Sequence, residues 1–192
     1  MTRYIAFLRA INVGGHTVKM EALRQLFESF GFSKVETFIA SGNVLFRTTA
    51  KDTTALESEI ASGLHNALGY EVATFIRTDA ELAQIAAYQA FPQSELDTAS
   101  AFNIAFLDRQ LDHTAIQKLM ALTTDIDSFA IHHREVYWLC CKRQSESTFS
   151  NAVLEKTLGI KATIRSMNTI YKLAAKYAAL RILPHRSDRR RV

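Results

Sequence analysis

Residues 5–8 read Ile-Ala-Phe-Leu, and residues 104–107 read the same. Further along, LGYEVATFIR at residues 68–77 is echoed by LGIKATIR at residues 158–165, so both echoes keep the same order along the chain. Self-similarity of this kind is the first thing to read in a sequence, because it shows that one structural unit is written twice. The segments between the echoes also correspond. In the first half, the pattern predicts a strand over Tyr4 to Leu8. A helix follows with Met20, Leu23, Leu26, Phe27 and Phe30 on one face and Gly31 as its terminator. Strands are expected near Val35 to Ala40 and Asn43 to Arg47 around a tight Ser41-Gly42 turn. A second helix aligns Leu56, Ile60, Leu64 and Leu68; Thr54 with Glu57 reads as its capping box, Gly69 as its end, and a strand over Val72 to Ile76 follows.

The second half predicts the same order. Phe102 to Leu107 is a strand, Thr114 and Gln117 open a helix, and strands lie near Ile126 to Ile131 and Val136 to Cys140. A helix ending at Gly159 and a strand over Ala162 to Ile164 complete it. Each half then adds one helix: Asp79 to Ala90 in the first, and one carrying Ile170, Leu173, Tyr177 and Leu180 in the second. The two prolines, Pro92 and Pro184, fall just after these helices, where a boundary and a tail should begin. The order βαββαβ is the ferredoxin-like arrangement, so the fold class expected is α+β, a tandem duplication of ferredoxin-like subdomains, each followed by an extra helix. The boundaries are a first subdomain over 1–91, a linker over 92–100, a second subdomain over 101–183 and a basic disordered tail over 184–192.

Composition narrows the function classes. The 192 residues are 48% hydrophobic and 22% charged, enough to bury a sizeable core. No apolar run is long enough for a membrane span, and Arg3 and Arg9 interrupt the N-terminal apolar stretch without a cleavage site, so a cytoplasmic chain with no membrane partner is expected. The net charge of +4 suggests nucleic acid until it is located. Four arginines against one aspartate in the tail PHRSDRRRV account for most of it, leaving residues 1–183 near +1. Adjacent Cys140 and Cys141 sit in the strand-like run EVYWLCC, where neighbours face opposite ways, and read as apolar residues rather than as a disulfide or metal pair.

With LRAINVGG at 8–15, SGNV at 41–44, LEKTLG at 154–159 and TIRSMNT at 163–169 in view, the chain resembles the bacterial family called domain of unknown function 1697. The resemblance runs from Tyr4 to about Leu180. Ala10 stands where the family pattern usually has glycine, and Ser166-Met167 where it usually has Asn-Trp, an aromatic that would stack on a base or ring. The resemblance implies a duplicated ferredoxin-like fold and no established activity.

Two copies of one unit can be compared with each other, and places where one copy is elaborated are candidates for function. Between the first strand and first helix, copy one has INVGGHTVK and copy two has DRQLDHTA without glycine. Gly14 and Gly15 can form a loop that turns backbone N–H groups outward at a helix start, which suits an anion, with Asn12 and Lys19 beside it. The same glycines also suit a tight turn that needs positive φ. In a ferredoxin-like sheet the first and third strands are neighbours, so this loop should share an edge with Ser41, Gly42 and Asn43, although Ser41-Gly42 taken alone reads as an ordinary hairpin turn rather than a ligand contact. At the added helix, copy one has Arg77-Thr78-Asp79-Ala80-Glu81 with its own acids. Copy two has Arg165-Ser166-Met167-Asn168-Thr169 without acids, a helix start that can receive a phosphate or carboxylate through Arg165, Asn168 and Thr169. The alternative is that Ser166 merely caps the helix while Arg165 pairs with a core carboxylate.

The function expected from these sites is binding of an anionic small molecule or nucleotide in a cleft of the Gly14-Gly15 loop, the Ser41-Gly42-Asn43 turn and the Arg165 helix start. A second reading is RNA or DNA binding through a sheet face or the basic tail, although SGNVLFR offers only Phe46 for stacking. A third is a small hydrolase or transferase with His16 as acid or base. No cofactor motif is present, and His132-His133 at a hairpin lacks metal-ligand spacing.

Overall fold

The computed structural model describes residues 1–12, 15–39 and 42–177; Gly14, Ser41, Leu180 and the tail at 184–192 lie outside the described residues. Its first half comprises β1 (Thr2–Leu8), α1 (Met20–Ser29), β2 (Ser33–Phe38), β3 (Asn43–Thr48), α2 (Thr53–Leu68), β4 (Thr74–Thr78) and α3 (Asp79–Ala87). The second comprises α4 (Gln93–Thr98), β5 (Ala101–Leu107), α5 (His113–Met120), β6 (Asp127–His132), β7 (Glu135–Cys140), α6 (Asn151–Leu158), β8 (Ala162–Ser166) and α7 (Met167–Tyr177). Two antiparallel four-stranded sheets result, ordered β2-β3-β1-β4 and β6-β7-β5-β8. This is the expected duplicated α+β arrangement.

The alternation of each strand decides how the halves meet. In β1, Tyr4, Ala6 and Leu8 point into a core shared with α1 and α2, while Ile5 and Phe7 point the other way. In β5, Ala105 and Leu107 face the second half's own helices, while Ile104 and Phe106 join Ile5 and Phe7 in a common core. Both faces of each sheet are therefore covered, one by its own helices and one by the other half. The repeated Ile-Ala-Phe-Leu segments meet at the centre: Phe7 and Phe106 stack with ring centroids 4.0 Å apart and planes 9° from parallel. Helices α3 and α7 complete the shared core through Leu82, Ile85, Ile170, Leu173 and Tyr177. Burying a side chain of this size contributes about 1.5–3 kcal/mol, so the seam is a core rather than a hinge. Phe46 is fully buried, and no aromatic on that strand is left for a base to stack on.

Several local expectations shift. Asp52, not Thr54, caps α2, its carboxylate accepting from the N–H groups of Thr54 and Ala55; an aspartate two residues upstream in extended backbone outcompetes the threonine. Glu57 is thereby released to accept from Ile76 N at 2.7 Å, an outward N–H of the edge strand β4. Asp112 likewise displaces Thr114 as the cap of α5, while Gln117 contacts His113. Helix α3 stops at Ala87 rather than Ala90, because Tyr88 leaves helical backbone and its ring stacks on His132 at 4.1 Å. The segment 92–100 holds the short helix α4. Cys140, the last residue of β7, is buried, and Cys141, just beyond the strand, is exposed. No helix among the described residues is long and apolar enough to cross a membrane.

Candidate functional site

The segment after β1 and the β2–β3 hairpin meet at one edge. Leu8 N donates to Gly42 O at 2.8 Å, and a Cβ on Gly42, which sits at φ +73°, would lie 2.7 Å from Ile11 Cγ2 and 3.2 Å from Leu8 Cβ. Only glycine fits this approach. Asn12 closes the loop from within, its Oδ1 accepting from Val18 N at 2.7 Å. Tyr70 holds the loop from outside by donating to Ile11 O at 2.9 Å, and the exposed His16 ring stacks on Tyr70 with centroids 3.9 Å apart. Gly15 is exposed at φ +86° with open space around it. Lys19 is exposed at the N-cap position of α1, where no side chain caps the helix.

Two of the four non-glycine residues at positive φ among the described residues lie here, the others being Lys34 and His133. Ala10 adopts φ +61°, and Ile39 in the hairpin adopts φ +59° while half exposed. Positive φ at a β-branched residue is an outlier that its surroundings must enforce. The second half has a shorter turn: His132 pairs with Glu135 across His133-Arg134, whereas Phe38 pairs with Asn43 across four residues.

Arg165 reaches this edge from the other half. Its Nε donates to Asn43 Oδ1 and its Nη2 to Leu8 O, both at 2.8 Å, while Nη1 donates to Thr163 Oγ1 and Ile164 O. Burial pulls its pKa down to about 10. Asn43, also fully buried, donates its Nδ2 to Phe38 O and so ties the hairpin to the same guanidinium. Among the described residues the partners shown for Arg165 are thus an amide, a hydroxyl and backbone carbonyls, where one sequence reading offered a core carboxylate.

Arg77 does the same in reverse. Its Nε donates to Glu135 Oε1 at 2.6 Å, and its Nη2 lies 3.5 Å from Leu107 O, the equivalent of Leu8 O. Arg134 Nη1 in turn donates to Glu57 Oε1 at 3.3 Å, closing a cluster of two arginines and two glutamates. Burial pushes the Glu57 carboxyl upward despite these cations, and pushes Arg77 downward. The sequence reading missed this cluster. Its one legible signal was that both echoed segments end in Ile-Arg.

Asn168 and Thr169 are not brought to the Arg165 guanidinium. Arg165 and Ser166 are neighbours on a strand and point to opposite sides. Ser166 caps α7, its Oγ accepting from Thr169 N at 3.3 Å and contacting Thr169 Oγ1 at 3.0 Å. Asn168 instead lines a separate cleft of about 370 Å³. Of the residues singled out in the sequence, Gly42, Asn43 and Arg165 meet at the end of β1, and Asn12 braces the loop that follows it.

Comparison with known proteins agrees with this architecture. A solved structure, that of the conserved bacterial protein SP0830 from Streptococcus pneumoniae, superposes with a TM-score of 0.74 at 22% identity, covering 92% of this chain and 98% of that one. No curated protein matches the chain. The pattern of the family described as "Protein of unknown function (DUF1697)" matches residues 1–137, and the chain belongs to that family.

Proposed function

We propose that the protein binds a small anionic molecule or nucleotide at the edge formed by the loop after β1 and the β2–β3 hairpin. The observation that supports this reading is the convergence of Arg165 on both segments, through Asn43 Oδ1 and Leu8 O at 2.8 Å each. The guanidinium acts as a rivet that fixes the edge and lends it positive charge, while direct contact falls to the exposed groups, the Gly15 backbone and Lys19 at the open start of α1. Ala10 and Ile39, both at positive φ, hold the two segments in a shape that neither would adopt alone.

A thermal-shift screen of nucleotides and phosphorylated metabolites tests the reading. A ligand present at about 100 times its Kd should add about 2.7 kcal/mol of stability. In Lys19→Glu the fold should persist, because an acid at a helix start is favourable, while the ligand's stabilisation should vanish. A panel without a stabilising anion, or stabilisation that survives in Lys19→Glu, counts against the proposal.

A further inference from the structure

Strand β4 lies at the edge of its sheet, so alternate residues turn their N–H and C=O away from β1. Arg9 N donates to Ala73 O at 2.8 Å, which puts the next residue, Thr74, in the outward phase together with Ile76, whose N–H is taken by Glu57. The equivalent of Thr74 in the second half is Ala162: the two stand opposite Leu8 and Leu107, the last residues of the repeated Ile-Ala-Phe-Leu segments. Both outward groups of Ala162 are met from α6. Its N–H donates to Glu155 Oε1 at 2.8 Å, and its C=O accepts from Asn151 Nδ2 at 3.0 Å.

Helices α2 and α6 align on their caps, since Gly69 and Gly159 both sit in the left-handed region and donate to His65 O and Glu155 O respectively. Counting back from these caps, His65 stands where the second half has Glu155, and Ala61 where it has Asn151. Alanine has no amide to give, and imidazole does not reproduce a carboxylate. Beyond the sheet, the hydrogen bond shown for Thr74 is the one its own hydroxyl donates to Val72 O. Thr74 and Ala61 instead line a cleft of about 350 Å³ between α2, the start of β4 and the turn after β5. The charged side chains lining it are already matched: Glu57 with Arg134 at 3.3 Å, Asp108 with Arg109 at 3.4 Å and Lys161 with Glu71 at 2.9 Å.

We propose that this cleft binds a small neutral amide, its carbonyl oxygen accepting from Thr74 N and its N–H donating to Thr74 O, the two bonds that Glu155 and Asn151 make to Ala162 in the other half. The N–H and C=O of one extended residue point the same way, so they match an acceptor and a donor held side by side, as on the edge of a primary carboxamide or a lactam. A carboxylate would set a second acceptor against a carbonyl that needs a donor, and an ammonium group offers no acceptor at all. The matched charges around the cleft favour a neutral ligand over an ion. Ala61 leaves room for that ligand where the larger Asn151 occupies the second half. The cleft shares no lining residue with the loop and hairpin at the Arg165 edge, and it does not depend on the function proposed there.

The test is a titration of the 15N-labelled protein with benzamide, followed at the backbone amide resonances of Thr74 and Phe75, with N,N-dimethylbenzamide and benzoate as comparison ligands. Benzamide should give saturable shifts at these groups. N,N-dimethylbenzamide keeps the acceptor and loses the donor, and both it and benzoate should bind about tenfold more weakly or not at all. The double variant Ala61→Asn/His65→Glu gives the first half the side chains of the second, at helix positions that are not buried, so the fold should persist while saturation is abolished. Ala61→Asn alone should weaken benzamide about tenfold, by supplying Thr74 O with an internal donor. The proposal is overturned if benzamide causes no saturable shift at Thr74, if N,N-dimethylbenzamide or benzoate binds as well as benzamide, or if binding persists undiminished in Ala61→Asn or in the double variant.

Discussion

Arg77 and Arg165 occupy equivalent places in the two halves and perform one task with different partners. Each is the penultimate residue of the last strand of its own half and crosses the seam toward the carbonyl that closes the other half's first strand, Leu107 for Arg77 and Leu8 for Arg165. They part at the residue that opens the third strand. Arg77 meets a carboxylate, Glu135, at 2.6 Å, whereas Arg165 meets the amide of Asn43 at 2.8 Å. One negative charge has been exchanged for a dipole at the first-half edge. The second-half edge is closed by ion pairs and a short turn with His133 at φ +55°; the first-half edge has a longer hairpin, with Gly42 packed against Leu8 and Ile11 and positive φ at Ala10 and Ile39.

The comparison is tested hardest at Glu135. Glu135→Ala leaves the buried Arg77 without its closest counter-charge, and the expected loss in urea unfolding is about 3–5 kcal/mol. Asn43→Ala removes a neutral acceptor from Arg165 and a donor from Phe38 O, with an expected loss of about 1–3 kcal/mol. Equal losses would show that charge is not what distinguishes the two arginines.

The glycines sharpen the same contrast at a smaller scale. Gly159 sits at φ +66° with open space around it, so Gly159→Ala should cost only the left-handed penalty of about 1–2 kcal/mol. Gly42→Ala adds a clash with Ile11 and Leu8, worth about 1–3 kcal/mol more. The equivalent position in the second half holds Arg134, so a Gly42→Ala cost no larger than that of Gly159→Ala would mean that the first-half edge is no tighter than its counterpart. Below this in size comes the cap of α2. Asp52→Ala should cost about 1 kcal/mol, while Thr54→Ala, on which the sequence reading rested, should cost no more than a few tenths.

The fold was legible because strand alternation and the repeated Ile-Ala-Phe-Leu segment are properties of adjacent residues. Phe7 and Phe106 were identical letters in the sequence, and only packing revealed that they are one contact. The candidate edge was half legible. Gly42 and Asn43 follow from strand order, but Arg165 lies 122 residues from Asn43, and local pattern says nothing about how two finished units dock. The separation of Arg165 from Asn168 was implicit in strand alternation and was lost by treating a helix start as one cluster. Glu57 was read as half of a capping box for a different reason: it matters through partners on other elements, Ile76 N and Arg134, which no spacing encodes.

Glu57 gives the subtlest test, a pH slope rather than an offset. It belongs to the first half, yet it accepts from Arg134 and so helps to close the second-half edge. Burial raises its pKa above the ordinary carboxylate range, while the Ile76 N–H bond and the charges of Arg134 and Arg77 pull the other way. A carboxyl group whose folded pKa is the higher one holds more protons in the folded state between the unfolded and folded values. Its contribution to stability is therefore fully present below the unfolded pKa and lost as pH rises through the folded one. Glu57→Gln cannot ionise and keeps an acceptor for Ile76 N. Its unfolding free energy relative to wild type should therefore climb as the pH is raised from about 4 to about 7. A relative stability that falls over that interval would mean that the two arginines outweigh burial at Glu57, and that the cluster closing the second-half edge is held by charge more strongly than its depth in the seam allows.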